Sequence, residues 1–131
     1  MGYYIYGVDG QSLEGVVAGL LLERRATISV AESCTGGLIT SRLTDIPGSS
    51  KFLDHGVVVN SKRTKHDALR VPTKTLEEYG PVSPETRAMA ERVRALGQTD
   101  LGLAVTGIMG PTGAMPERSS RFSATGPPRR S

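Results

Sequence analysis

Three stretches of this chain gather side chains capable of chemistry. They are Glu32-Ser33-Cys34-Thr35-Gly36-Gly37, Asn60-Ser61-Lys62-Arg63-Thr64-Lys65 and Thr106-Gly107-Ile108-Met109-Gly110-Pro111-Thr112-Gly113. In the first, Ser33 offers a hydroxyl nucleophile just ahead of a helix start. The amides of Thr35, Gly36 and Gly37 are placed to bind a phosphate or stabilise an oxyanion, and the glycines let a substrate approach the backbone closely. The same residues also suit a plain helix start, with Ser33 or Thr35 as cap and the glycines as turn residues. The stretch is neither a P-loop, because GxxxxGK[ST] is absent, nor a GxSxG elbow.

A serine nucleophile needs a base. His55 is expected ahead of the second strand, at the wrong edge of a sheet, and His66 on a solvated helix face. Lys65 is better placed, one turn into the helix that follows the second strand. A lysine desolvated near other cations can act as base and then as acid to a leaving amine, and Ser–Lys pairs run amide hydrolysis on other folds. The plain alternative for Lys65 is a solvated helix lysine. Cys34 is the rival nucleophile, or else a buried structural thiol. Glu32, Asp45 and Asp54 show no metal-site spacing, and HExxH and EF-hand patterns are absent, so a site without metal or cofactor is expected.

The elements that position these residues follow from periodicity. Leu13, Val16, Val17, Leu20 and Leu21 recur at helical spacing behind Ser12, which predicts a helix over 12–25. Thr27–Ala31 reads as a buried strand, about 35–44 as a helix closed by Pro47-Gly48, and Gly56–Val59 as a second strand. Helices are expected over about 62–69 and, as a short turn, 73–79. A longer helix is expected over 84–96, with Ser83 as cap, Pro84 first, Glu85 at the positive end of the dipole and Gly97 as terminator. Leu101–Val105 is the third strand. Apolar strands alternating with helices imply an α/β fold, a mainly parallel sheet between helical layers. In such sheets ligands bind beyond the carboxyl ends of the strands, where the three stretches lie.

Composition narrows the classes. At 131 residues the chain has the length of one domain, and 16 Gly and 8 Pro imply prominent turns. No apolar run approaches the ~18 residues of a membrane span. The opening residues carry no secretory pattern, so no membrane partner is expected. One cysteine excludes an internal disulfide framework and a multi-cysteine zinc site, consistent with a reducing cytoplasm. The net charge is +3, yet residues 1–116 hold 12 basic and 12 acidic residues. The excess sits in 117–131, so nucleic acid is not expected as a partner. The expected organisation is a leading segment or linker over 1–11, the domain over 12–116 and a disordered basic tail over 117–131.

The stretch Ala31-Glu32-Ser33-Cys34-Thr35-Gly36-Gly37-Leu38 resembles the signature of the C-terminal domain of the CinA family, the competence/damage-inducible proteins with nicotinamide-nucleotide amidohydrolase activity. The resemblance continues through Arg42–Ser50, Gly56-Val57-Val58, Lys65, Gly80-Pro81-Val82-Ser83 and Ala104–Pro111, and covers roughly residues 4–117. It implies a three-layer α/β/α fold with a mixed, mainly parallel sheet, and hydrolysis of the carboxamide of nicotinamide mononucleotide to nicotinic acid mononucleotide and ammonia. Carried over, Ser33 is the nucleophile and Lys65 the general base. Thr35, Gly36, Gly37, Thr106 and Gly107 hold the oxyanion or phosphate. A homodimer, and an N-terminal CinA domain in a longer form, are implied as partners. Two departures stand out. Asn60 occupies a position where the family usually has Tyr, which removes a π-face for the pyridine ring. After Glu117 the resemblance stops abruptly, so the C-terminal part of the fold is expected to be missing, leaving an unpaired sheet edge.

Overall fold

The structure is a computed structural model, and it describes residues 12–77, 84–107 and 121–126. Helix α1 covers Leu13–Arg24, strand β1 Ile28–Glu32 and helix α2 Leu38–Thr44. Strand β2 covers Leu53–Val58, helix α3 Lys62–Leu69, the single turn α4 Thr73–Leu76 and helix α5 Pro84–Gly97. Strands β3 and β4 cover Leu101–Thr106 and Arg121–Thr125. The four strands lie in the order β2-β1-β3-β4. β1 runs parallel to both β2 and β3, and β4 closes the sheet antiparallel to β3. The fold is therefore the mainly parallel α/β sheet that the alternating pattern predicts, with the mixed character that the resemblance implies.

β1 is central and buried along its whole length, as expected of a parallel strand covered on both faces. Its residues alternate between two cores. Ile28 and Val30 pack with Ala18 and Leu21 of α1, Leu43 of α2 and Phe52. Ala31 packs with Leu69, Val71, Leu76, Met89, Ala90, Val93 and Ala104, on the side of α3, α4 and α5. This period of two sorts β1 side chains between the two helical layers.

Local chemistry explains the helix ends. Ser12 Oγ accepts the Gly15 amide at 3.1 Å and starts α1, while Arg25 turns left-handed (φ 51°) and ends it. Ser61 and Thr64 form a reciprocal capping box at α3, so the helix that carries Lys65 begins at a defined residue. The expected cap at Ser83 lies outside the described residues. Gly97 does not terminate α5; it is the last helical residue, and Gln98 takes the left-handed conformation (φ 52°).

Two further expectations are corrected. Residues 121–125, read as part of a disordered tail because they hold few aliphatics, form β4. All five residues of β4 pair with β3, from Gly102 opposite Thr125 to Thr106 opposite Arg121, which leaves Leu101 as the one β3 residue without a partner in β4. The expected bare edge at β3 is thus covered, because backbone pairing needs no apolar composition. The remaining tail residues, 117–120 and 127–131, and the leading segment 1–11 lie outside the described residues. β2 starts at Leu53, three residues earlier than the apolar run Gly56–Val59 indicates, since an edge strand tolerates Asp54 and His55.

Candidate active site

The alternation in β1 splits Glu32 from Ser33. Glu32 turns toward α2 and is fully buried. Its carboxylate accepts four bonds: the Thr35 hydroxyl at 2.7 Å, the Ile39 and Thr40 amides at 2.9 Å each, and the Thr40 hydroxyl at 2.5 Å. Burial pushes this carboxyl up, but the bonds from Thr40, Thr35 and Ile39 together outweigh it and hold the group below its ordinary value of 4.5. Glu32 is thus the anion that occupies the positive end of α2.

This corrects the expected helix start and removes one amide, that of Gly36, from the expected cradle. α2 begins at Leu38 rather than near Thr35, and Gly37 is its N-cap. Gly36 donates its amide to the Ser33 carbonyl at 3.2 Å, and the Thr35 hydroxyl belongs to Glu32. Both residues shape the turn. The glycines are required by the backbone, with φ of 62° at Gly36 and 103° at Gly37, a region that disfavours a Cβ. Sequence reasoning weighed Glu32 only as a metal acid and set it aside on its spacing. The signal for its role was an acid at a strand end seven residues before a helix amide.

Ser33 follows on the opposite face, the face of α3 and α5. Its amide still pairs with the Val105 carbonyl at 3.1 Å, so the turn springs from a continued ladder, and the residue is 7% exposed. Cys34 is half-buried beyond it. On β3, Thr106 shares this end of the sheet and is buried; its hydroxyl meets that of Thr86 at 2.5 Å. Gly107 is half-buried, and the glycine-rich continuation from Ile108 lies outside the described residues. Asn60 is exposed, just after the Val59 amide pairs with the Glu32 carbonyl at 2.8 Å.

Lys65 is not a solvated helix lysine. It is 8% exposed, and its ammonium donates to Glu85 Oε1 at 2.7 Å. Glu85 and Thr86 open α5, so this first turn touches both the Lys65 helix and the end of β3. The structure brings Ser33, Lys65 and Thr106 to one end and one face of the sheet. Among the described residues no hydrogen bond joins Ser33 to Lys65. Sequence reasoning read Glu85 only as a favourable helix-dipole charge, and its partnership spans 20 residues with no local pattern to reveal it.

The histidines stand elsewhere. His55 lies within β2, opposite Ser29 near the amino end of the sheet, and His66 is exposed, its Nδ1 2.9 Å from the Val71 carbonyl oxygen. A groove of about 390 Å³, lined by Leu13, Val17, Leu38, Ile39, Leu43 and Leu103, opens on the α1–α2 face, away from the face of Lys65. Among the described residues no group of three or more His, Cys, Asp or Glu side chains is arranged to hold a metal, and no helix is long and apolar enough to cross a membrane.

A strand-end serine, a buried lysine from the neighbouring crossover and a mainly parallel sheet between helical layers define an α/β domain with a candidate site at the strand carboxyl ends. The family model of the CinA C-terminal domain matches residues 10–120, and the chain belongs to that family. It is 58% identical over 115 residues to a CinA-like protein of Syntrophus aciditrophicus, covering 87% of this chain and 27% of that protein. It is 50% identical over 119 residues to a competence-damage inducible protein of Caldanaerobacter subterraneus, covering 90% of this chain and 29% of the relative. The chain thus spans less than a third of the curated relatives it matches. The crystal structure of the competence/damage inducible protein CihA from Agrobacterium tumefaciens superposes with a TM-score of 0.78 at 35% identity, over 87% of this chain and 72% of that one.

Proposed function

We propose that this domain hydrolyses the carboxamide of nicotinamide mononucleotide, giving nicotinic acid mononucleotide and ammonia, in the bacterial cytoplasm. The observation that carries the reading is the burial of Lys65 at the end of the sheet where Ser33 leaves β1. Burying a lysine is costly, and its presence at the same end of the sheet as a strand-end serine suits amide hydrolysis. Ser33 Oγ attacks the carboxamide carbon and Lys65 receives its proton. Lys65 then protonates the departing amine, and water releases the acyl group from Ser33. Thr106 and Gly107, at the end of β3, and the Gly37 turn are assigned to the oxyanion or the phosphate, and Asn60 to the rim of the pyridine site. Thr35 and Gly36 hold the turn in shape. The reaction on these residues calls for no metal or cofactor. A homodimer and an N-terminal CinA domain in a longer form belong to the same reading.

A second reading has its own support. Lys65 is engaged by Glu85, and Asn60 offers no ring to stack on pyridine. On this reading the chain is an impaired module that binds the mononucleotide without turnover. Ammonia release from nicotinamide mononucleotide, measured beside Ser33→Ala and Asn60→Tyr, separates the two. Turnover lost in Ser33→Ala carries the first. Calorimetric binding with no ammonia from any form carries the second.

A further inference from the structure

Lys65 and Glu85 form an ion pair that is largely withdrawn from water, with side chains 10% and 22% exposed. An ammonium carries three donors and no acceptor. In this state Lys65 holds no lone pair for the Ser33 proton, so catalysis requires it first to release a proton of its own. Among the described residues the acceptor in hydrogen-bond contact with Lys65 Nζ is Glu85 Oε1, at 2.7 Å. Glu85 is also held in place. The next residue, Thr86, is 1% exposed and bonded to Thr106 at 2.5 Å, which pins the first turn of α5 to the end of β3.

Resting on the Ser33–Lys65 reading, we propose that Glu85 is a positioning residue that takes up the proton of Lys65 as Ser33 attacks. In the addition step the bond from Ser33 Oγ to the carboxamide carbon forms. The Oγ proton passes to Lys65 Nζ, and one Nζ proton passes to Glu85 Oε1. The pair moves from neutral overall to a single positive charge, which balances the new oxyanion. When the intermediate collapses the C–N bond breaks and Lys65 protonates the departing nitrogen. Glu85 then returns its proton to Lys65, restoring the ion pair. The arrangement assigns the carboxylate a role that a helix-dipole charge lacks, because its oxygen sits on the base itself rather than on the helix end.

The test is steady-state ammonia release from nicotinamide mononucleotide by the 131-residue chain as wild type, E85Q, E85D and Ser33→Ala, with thermal melting of each. Gln preserves size and can still accept a hydrogen bond, but does not take the proton. The expected result is a fall in kcat of about 100-fold in E85Q with KM changed less than threefold, and recovery to within about tenfold of wild type in E85D. A second readout follows trinitrophenylation of lysines by trinitrobenzenesulfonate, with loss of sulfite, through peptide mass spectrometry. Lys65 should react at least about threefold faster in E85Q, with Lys62 unchanged, because the carboxylate no longer holds the amine. E85Q within threefold of wild-type kcat, where Ser33→Ala is inactive, overturns the relay and leaves the amidohydrolase reading intact. Equal loss in E85Q and E85D with a lowered melting temperature assigns Glu85 a purely structural role and also overturns it. Unchanged Lys65 labelling does the same. Wild type without ammonia release defeats the amidohydrolase reading first, and the relay with it.

Discussion

The two ends of the sheet carry polar clusters of similar composition and opposite character. At the amino end, Ser29 Oγ lies 3.3 Å from His55 Nδ1, and Asp54 Oδ2 lies 2.8 Å from the same nitrogen. Serine, histidine and aspartate are the residue types of a hydrolytic triad, yet the geometry refuses one. A triad needs serine and carboxylate on opposite ring nitrogens, so that a proton can be drawn across the imidazole. Here both meet Nδ1. Ser29 is also bonded to Thr99 Oγ1 at 2.9 Å and is fully buried, closed over by Gly97. At the carboxyl end, Ser33 opens onto a glycine turn with a buried lysine on the same face. Residue types nominate a site, but it is an open turn at the right end of the strands that makes Ser33 the stronger candidate.

The sharpest way to break this comparison is to remove each serine in turn. Ser33→Ala should lower ammonia release by about 1,000-fold or more, whereas Ser29→Ala should leave it within twofold; a reversed order would relocate the chemistry to the amino end. Gly97→Ala probes the closed cluster next. A Cβ there would approach Ser29 Oγ and stand 2.7 Å from His55 Cε1, so α5 must shift from the sheet. A loss of about 3 kcal/mol in urea unfolding is expected, and a change under 0.5 kcal/mol would show that the contact yields freely.

Glu32 sharpens the opposite end. Its depressed carboxyl contributes stability that is present above the unfolded value of 4.5 and is lost as pH falls through the lower folded value. Glu32→Gln should therefore cost about 2 kcal/mol at pH 7, and the gap from wild type should close as the pH falls below about 4.5. A gap of equal size across pH 3–7 would contradict the buried-carboxylate account. The smallest effect belongs to Thr86→Val, which removes the bond to Thr106 and should cost about 1 kcal/mol by chemical denaturation, with a larger proportional loss in kcat than in KM.

The comparison also explains what was readable beforehand. α3, at Lys62–Leu69, was expected over about 62–69 from its place after the second strand, and the structure adds the local capping box that fixes its start. The turn after β1 was legible as a site because two adjacent glycines behind a strand-end serine are a local pattern. The helix start was placed too early in that turn. The Gly36 amide, expected to be free for a ligand, bonds the Ser33 carbonyl, and only the fold shows Glu32 reaching across eight residues to the amides of Ile39 and Thr40. Gly97 was read as a stop, whereas the requirement is close passage over Ser29, 68 positions away in the chain and invisible to any window. β4 escaped notice because Arg121–Thr125 has neither an apolar run nor strong alternation.

What the sequence by itself determined is the class: short apolar strands alternating with capped helices, a serine-glycine turn at a strand end, and a neutral body carrying 12 charges of each sign. These rest on periodicity, capping and composition, which act over a few residues. Which face each strand-end side chain occupies, that Lys65 is buried against Glu85, and that β4 covers the edge of β3 were decided only in three dimensions. Burial and pairing depend on neighbours brought together by the crossovers, and the energy of a charge is set by that surrounding rather than by its place in the chain.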